Sequence, residues 1–177
     1  MRARLYYEAL ALAVEAHAGA SYGGLPYWVH PVAVADTLAA HGIEDRATLL
    51  SALLHDIVED TPTTTDDVEA RFGPEVAGIV AEVTDDKSLP KSERNEQLIL
   101  KAARFSPQAI AVKAADRYVN LNRDLGQQVP TEVRVAHSRR LHDALRTRCR
   151  EIGGGPTLVE LLNSLERTVR CWEGERG

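Results

Sequence analysis

Apolar residues recur along this chain at three- and four-residue spacing, the period of helices with one buried stripe. Leu5, Ala9, Leu12, Ala13 and Ala16 form such a stripe over residues 5–18, and Gly19, Gly23, Gly24 and Pro26 then break it. Pro31 suits the first turn of a second helix, where its missing N–H costs nothing, and that helix runs to about Gly42. Asp45 caps a third, whose apolar face is Leu49, Leu50, Leu53, Leu54 and Ile57. Thr61-Pro62-Thr63-Thr64 reads as a turn, and Thr65-Asp66-Asp67 as the start of a short helix ending at Gly73. Pro74 opens a helix to Val83, residues 85–91 form a polar loop, and Ser92 and Pro107 begin helices to about Phe105 and Leu125. After Gln127-Gln128-Val129-Pro130 a basic helix covers residues 131–151, and after Gly153-Gly154-Gly155-Pro156 an amphipathic one covers 157–172. The expectation is an all-α helical bundle forming a single domain. Residues 1–152 make its body, and 153–177 supply a Gly-rich break and a C-terminal helix packing on the same domain.

Composition agrees. Ala and Leu supply 44 residues against 22 for Val and Ile, a helix-forming bias. The 177 residues with 44% hydrophobic content are enough to bury a core, which excludes a disordered chain. No apolar run approaches the roughly 20 residues of a membrane span. Glu8 and Glu15 interrupt the N-terminal apolar residues, so that segment reads as a helix of the mature chain, and the expected location is the cytoplasm. A net charge of −5 argues against a nucleic-acid partner, and the basic run Arg134 to Arg150 reads as a solvated helix face. Cys149 and Cys171 lack a partner motif and read as reduced thiols.

Candidate chemistry is confined to a few words. In SALLHDIVEDT the pairs His55/Glu59 and Asp56/Asp60 each lie one helical turn apart, a polar cluster at the end of a leucine-faced helix. Such a cluster is either a solvated acidic helix end or a site that binds something. His30 precedes Pro31 and can bond a backbone carbonyl or a ligand. Asp116 and Asn120 share a face of an alanine-rich helix, where Asp116 needs a partner: Lys113, Arg117 or a metal. Together His30, His55, Asp56 and Asp116 offer two imidazoles and two carboxylates, a set suited to a borderline or hard divalent ion such as Mn²⁺. Glu59 and Asp60 are then placed to accept and return protons.

These residues form the H…HD…D pattern and resemble the HD metal-dependent phosphohydrolases. The segments EAHAG, LPYWVHPVAVADTL, ALLHDIVEDT, FGPEVAGIVAEVTDDKSLPKSER and VKAADRYVNL narrow the resemblance. Over roughly residues 7–125 they are similar to the (p)ppGpp hydrolase domain of the Rel/Spo proteins. The closest likeness is to its single-domain form, the small alarmone hydrolases, a group that includes the metazoan SpoT homologue. The resemblance implies an all-α HD-domain fold and one Mn²⁺ per chain on His30, His55, Asp56 and Asp116. It implies that Glu59 and Asp60 support attack of water on the 3′-pyrophosphate of (p)ppGpp, giving GDP or GTP and pyrophosphate. It also places Asn120 near the nucleotide sugar, and Lys91 and Arg134 toward the phosphates.

Two departures bear on substrate. Between His17 and His30 the family has one more residue and a basic cluster that grips phosphate, whereas residues 18–25 here contain no Lys or Arg. Tyr22 in that stretch offers a ring that can stack on a base. There is also one extra residue after Asn120, within Leu121-Asn122-Arg123. Three readings follow: a (p)ppGpp hydrolase, a phosphohydrolase of another nucleotide such as NADPH or an adenine analogue, and a non-catalytic alarmone-binding module. Each takes a small-molecule nucleotide, with no nucleic-acid or membrane partner. Among the remaining candidates, His17 reads as a structural helix-end histidine bonding a backbone carbonyl, and His41, before Gly42, as a C-terminal helix residue favoured by the helix dipole. His137 and His142 read as facing solvent, Trp28 as packing and Trp172 as docking the last helix.

Overall fold

Helix starts follow the capping chemistry. In a computed structural model, which describes residues 2–127 and 131–174, the elements run α1 (Arg2–Ala16), β1 (Ser21–Tyr22), β2 (Leu25–Pro26), α2 (Val29–Ala40), α3 (Arg46–Leu54), α4 (Ile57–Asp60), α5 (Thr65–Phe72), α6 (Pro74–Val83), α7 (Lys91–Ala102), α8 (Pro107–Gln127), α9 (Glu132–Glu151) and α10 (Pro156–Trp172). The carboxylate of Asp45 accepts the Thr48 N–H at 2.8 Å, satisfying one orphan donor of α3. Thr64 and Asp67 exchange side-chain and backbone bonds in a capping box at α5. Gly73, at φ +92°, turns the chain between α5 and α6, and Pro74 takes the first position of α6. The expected break at Gln127-Gln128-Val129-Pro130 falls mostly outside the described residues.

The core is built around α8. Ala109, Ile110, Ala111, Val112, Ala114 and Ala115 are all buried, and their small side chains let α2, α3, α6, α9 and α10 pack on this one helix. Leu38, Leu50, Leu53, Phe105 and Leu141 fill the spaces between, each worth roughly 1.5–3 kcal/mol of apolar burial. On α10 the stripe Leu158, Leu161, Leu162, Leu165 and Val169 faces α8 and α9. Trp172 fastens its end by donating Nε1–H to the Leu121 carbonyl at 3.2 Å, as its docking role requires. Among the described residues no helix is long and apolar enough to cross a membrane.

Four features depart from the sequence reading. The break after α1 contains a small hairpin, Tyr22 opposite Leu25, turned by Gly23 and Gly24 at φ +62° and +80°. Two consecutive positive φ values are those of the tight turn that suits hairpin twist. The expected single helix through His55 and Asp60 is interrupted: α3 stops at Leu54 and α4 begins at Ile57. Asp56 sits there at φ −98°, ψ −4°, in the bridge region, while its carbonyl still accepts the Asp60 N–H at 2.8 Å. The basic helix α9 is not a solvated face. Arg139 pairs with Glu173, Arg140 with Glu96 and Arg146 with Glu166, and Arg148 donates to the Phe105 carbonyl. His137 and His142 are buried rather than exposed because they lie on the same stripe as Leu141 and Leu145, while Trp28 is 38% exposed rather than packed.

Candidate metal centre and nucleotide cavity

Three packed segments deliver the candidate ligands. His30 lies in the first turn of α2, His55 and Asp56 at the α3–α4 break, and Asp116 on the inner face of α8. His55 donates Nδ1–H to the Ala52 carbonyl at 2.8 Å, which turns its Nε2 inward. The Nε2 atoms of His30 and His55 stand 3.2 Å apart. Asp56 Oδ2 is 3.0 Å from His55 Nε2 and 3.7 Å from His30 Nε2, and Asp116 Oδ1 is 3.2 Å and 3.8 Å from His30 and His55. Donors at about 2.1 Å from a common ion and at right angles stand ~3.0 Å apart, so the His30, His55 and Asp56 atoms fit one cation, and Asp116 adjoins them through His30 at 3.2 Å. His30, His55 and Asp56 form a cluster that can hold a divalent ion. The chemistry of the set agrees. Two inward imidazole lone pairs beside two carboxylates repel one another unless positive charge lies between them. Burial disfavours that charge, yet Asp56 and then Asp116 lift the His55 imidazole to about 9. Burial likewise opposes ionisation of Asp56 and Asp116, but the histidines, with Lys113 beside Asp116, hold both carboxyls well below the usual range.

A further layer of side chains orients this set. The Tyr27 hydroxyl donates to Asp56 Oδ2 in a short bond, and the Tyr27 ring stacks on His17 at 4.4 Å and 20°. His17 is itself anchored by donating to the Ala13 carbonyl at 2.9 Å, which is the structural role its position suggests. Burial, then Asp56, raise the Tyr27 phenol far above its ordinary value, so it remains a donor. Asn120 donates Nδ2–H to Asp116 at 2.6 Å and accepts the Tyr22 hydroxyl on Oδ1 at 3.0 Å. The hairpin thus lays Tyr22 over the site, its ring 4.6 Å from that of His30. Lys113 is buried, 3.7 Å from Asp116 Oδ2, so the salt bridge weighed for Asp116 is present together with the two histidines.

Glu59 and Asp60 lie one turn beyond the ligands. Glu59 Oε2 accepts the Asp85 N–H at 3.1 Å, and its Oε1 lies 3.7 Å from Arg94 and 4.0 Å from Lys87. Burial raises the Glu59 carboxyl above its ordinary value, against the pull of Lys113 and the Asp85 N–H. Asp60 pairs with Lys87 and stands 3.5 Å from the Tyr27 hydroxyl. Asn120 also lines a cavity of about 430 Å³ between α7, α8 and α9, where Lys91, Arg94, Arg117, Arg134 and His137 converge. Lys91 and Arg134 therefore meet across one cavity, although 43 residues separate them in sequence. A larger cavity of about 590 Å³, bounded by Tyr6, Asp45, Arg46 and Leu50, holds none of these groups. Sequence reading missed Tyr27, Arg94, Arg117 and His137. The signal for His137 was its place one turn before Leu141, while Tyr27 carried none, because an unforeseen hairpin brings it to Asp56.

Comparison with known proteins agrees with this arrangement. The HD domain family model matches residues 9–143. The guanosine-3′,5′-bis(diphosphate) 3′-pyrophosphohydrolase MESH1 of Mus musculus is 52% identical over 109 residues, 61% of this chain and 60% of that protein. The alignment thus spans about 60% of the relative's length. The bifunctional (p)ppGpp synthase/hydrolase SpoT of Escherichia coli K12 is 32% identical over 96% of this chain and 26% of its own. Among solved structures, one described as a metazoan ortholog of SpoT that hydrolyzes ppGpp superposes with a TM-score of 0.78 at 37% identity, covering 92% of this chain and 94% of that one. The match from residue 9 to residue 143 takes in every one of the four candidate ligands, and the chain belongs to the HD domain family.

Proposed function

We propose that this chain is a Mn²⁺-dependent pyrophosphohydrolase that removes the 3′-pyrophosphate of guanosine alarmones, converting (p)ppGpp to GDP or GTP. The observation that carries the reading is one continuous site. Four N and O donors converge from His30, His55, Asp56 and Asp116, and Asn120 connects Asp116 to a cavity lined by Lys91, Arg94 and Arg134. Names of relatives at about 50% identity support the substrate class. When bound, the ion supplies Lewis-acid charge to phosphate oxygens and acidifies water in its coordination sphere.

The side chains divide the remaining work. Glu59 holds a backbone N–H on Oε2, which leaves Oε1 to take the proton of the attacking water, and Asp60 lies one residue along to pass it on. Its burial moves the Glu59 carboxyl upward, toward the range in which a base both accepts and releases a proton. Asn120 uses one Nδ2–H on Asp116 and one Oδ1 lone pair on Tyr22, which leaves its second N–H and second lone pair for a ribose hydroxyl. Lys91 and Arg134 bind phosphate from the cavity side, which compensates for the missing basic residues of the hairpin.

Release of pyrophosphate from ppGpp and pppGpp and of orthophosphate from NADPH, measured on the Mn²⁺-loaded protein, tests the reading. Turnover of ppGpp and pppGpp well above NADPH is expected. Turnover of NADPH alone assigns the site to another nucleotide, which the absence of cations at residues 18–25 would then explain. Nucleotide binding without turnover makes the chain a sensor and refutes the enzymatic reading.

A further inference from the structure

The cavity between α7, α8 and α9 contains one group that the proposed reaction leaves unexplained. His137 is only 7% exposed, yet among the described residues neither of its ring nitrogens has a hydrogen-bond partner. A neutral imidazole offers one N–H and one lone pair, and buried polar groups are nearly always paired. The ring lies on the wall of a cavity shared with four cations, Lys91, Arg94, Arg117 and Arg134, and one carboxylate, Asp85, so the wall is net positive. The charged groups that act on it are Arg117 and Lys113 from α8, Arg140 from its own helix and Glu96 from α7. Glu96 is the one anion among them, and Arg140 grips it with Nη1 and Nη2, the two terminal guanidinium nitrogens. Burial first, then Arg117 and Arg140, push the imidazole down to about 4, so the ring is neutral at working pH. A neutral, unsatisfied donor in a cationic cavity is suited to an anion that brings the compensating charge with it.

Resting on the nucleotide reading above, we propose that His137 is an anion ligand in this cavity, binding the phosphate group of the nucleotide that is not cleaved and taking up a proton as that phosphate arrives. An approaching diphosphate cancels the field of Arg117 and Arg140 and favours the charged ring, since an opposite charge within a few ångströms stabilises the ionised form. The proton comes from solvent to a ring nitrogen, the other nitrogen keeps its own, and no bond of the nucleotide breaks. His137 then donates a charge-assisted hydrogen bond to a phosphate oxygen. The ligand class is a nucleoside diphosphate whose diphosphate lies away from the metal. A pH-dependent affinity follows, tightest on the acid side.

GDP serves as the probe, because it carries a 5′-diphosphate and no 3′-pyrophosphate. Calorimetric titration of the Mn²⁺-loaded protein near pH 6.5, in two buffers of different ionisation heat, counts the protons taken up. The wild type is expected to take up more than His137→Gln, by up to one proton per GDP; the nucleotide's own titration is common to both and cancels. His137→Gln is also expected to raise KM for ppGpp about tenfold, with a smaller effect on kcat. Equal uptake and equal GDP affinity in the two proteins would overturn the proposal and make His137 a structural residue. Should the variant fold poorly, imidazole resonances of the Mg²⁺-loaded wild type decide: one of the six histidines must raise its titration midpoint when GDP is added. If none does, the proposal fails. Hydrolysis of ppGpp measured on the same preparation keeps the two readings apart. Turnover without His137-linked uptake refutes this inference alone, whereas His137-linked uptake without turnover refutes only the catalytic reading.

Discussion

Replacing Tyr27 by Phe removes one oxygen and leaves the ring on its His17 stack. The lost hydroxyl donates to Asp56 Oδ2, the same oxygen that faces His55 Nε2 at 3.0 Å and His30 Nε2 at 3.7 Å. It therefore aims the ligand oxygen at the metal position. A hydrogen bond to a charged acceptor is worth about 1.5–3 kcal/mol, and Tyr27 is only half-buried, so water recovers part of it. About 1.5 kcal/mol remains, which is roughly tenfold in affinity and within the 10–100-fold range for groups that orient a metal ligand. Titration of metal-stripped protein with Mn²⁺ should give a Kd about tenfold weaker for Tyr27→Phe, and excess Mn²⁺ should restore kcat. An unchanged Kd would refute the positioning argument. A kcat that stays low at saturating Mn²⁺ would refute it too, since the phenol would then act on the reaction itself.

Glu59→Gln should retain Mn²⁺ by elemental analysis yet lose ~10²–10⁴-fold in kcat; loss of the metal would make Glu59 a ligand. Lys91→Ala should raise KM for ppGpp about tenfold while leaving Mn²⁺ affinity intact, and an unmoved KM would remove Lys91 from the phosphate site. Gly154→Ala would place a Cβ 2.3 Å from Cys149 Sγ and 3.1 Å from the Cys149 carbonyl, an overpacking cost of about 1–3 kcal/mol. Urea unfolding should detect it, with partial recovery in the Gly154→Ala, Cys149→Ala double variant. Finally, because the His137 imidazole is held down to about 4 in the folded chain, the unfolded chain binds its proton first on acidification. This contribution to stability is present above pH ~6.5 and is lost as the pH falls toward 4; a His137→Gln chain whose unfolding follows the same acid profile would contradict it.

Helix limits were legible where backbone chemistry is local. Asp45, Thr65-Asp66-Asp67, Pro74 and Pro107 start helices for reasons contained within one turn, and the structure places their helices accordingly. The candidate ligand cluster was legible through the H…HD…D pattern, and the side chains of His30, His55, Asp56 and Asp116 do lie near one another. What escaped depends on long-range packing or on two-residue geometry. Gly23 and Gly24 signal a break, but nothing local shows that their turn carries Tyr22 to Asn120, 98 positions away. The interruption at Asp56 was hidden because Leu53, Leu54 and Ile57 continue the apolar stripe across it. On α9 the arginines suggested a solvated face, whereas Ser138, Leu141, His142, Leu145 and Cys149 form a buried stripe that draws both histidines inward.

The four candidate metal donors come from α2, the α3–α4 break and α8, elements that pack pairwise yet lie up to 86 positions apart along the chain. An unfolded chain scatters those donors, so an ion that binds there binds the native fold almost exclusively. Occupancy then becomes a source of conformational stability. Free ion at a hundred times its Kd adds about 2.7 kcal/mol to the unfolding free energy. In a chain of this length that is roughly 5–11 °C in Tm. The lifetime of the fold is thereby tied to the supply of metal around it: starvation for the ion would cost the cell the molecules themselves, through easier unfolding and proteolysis.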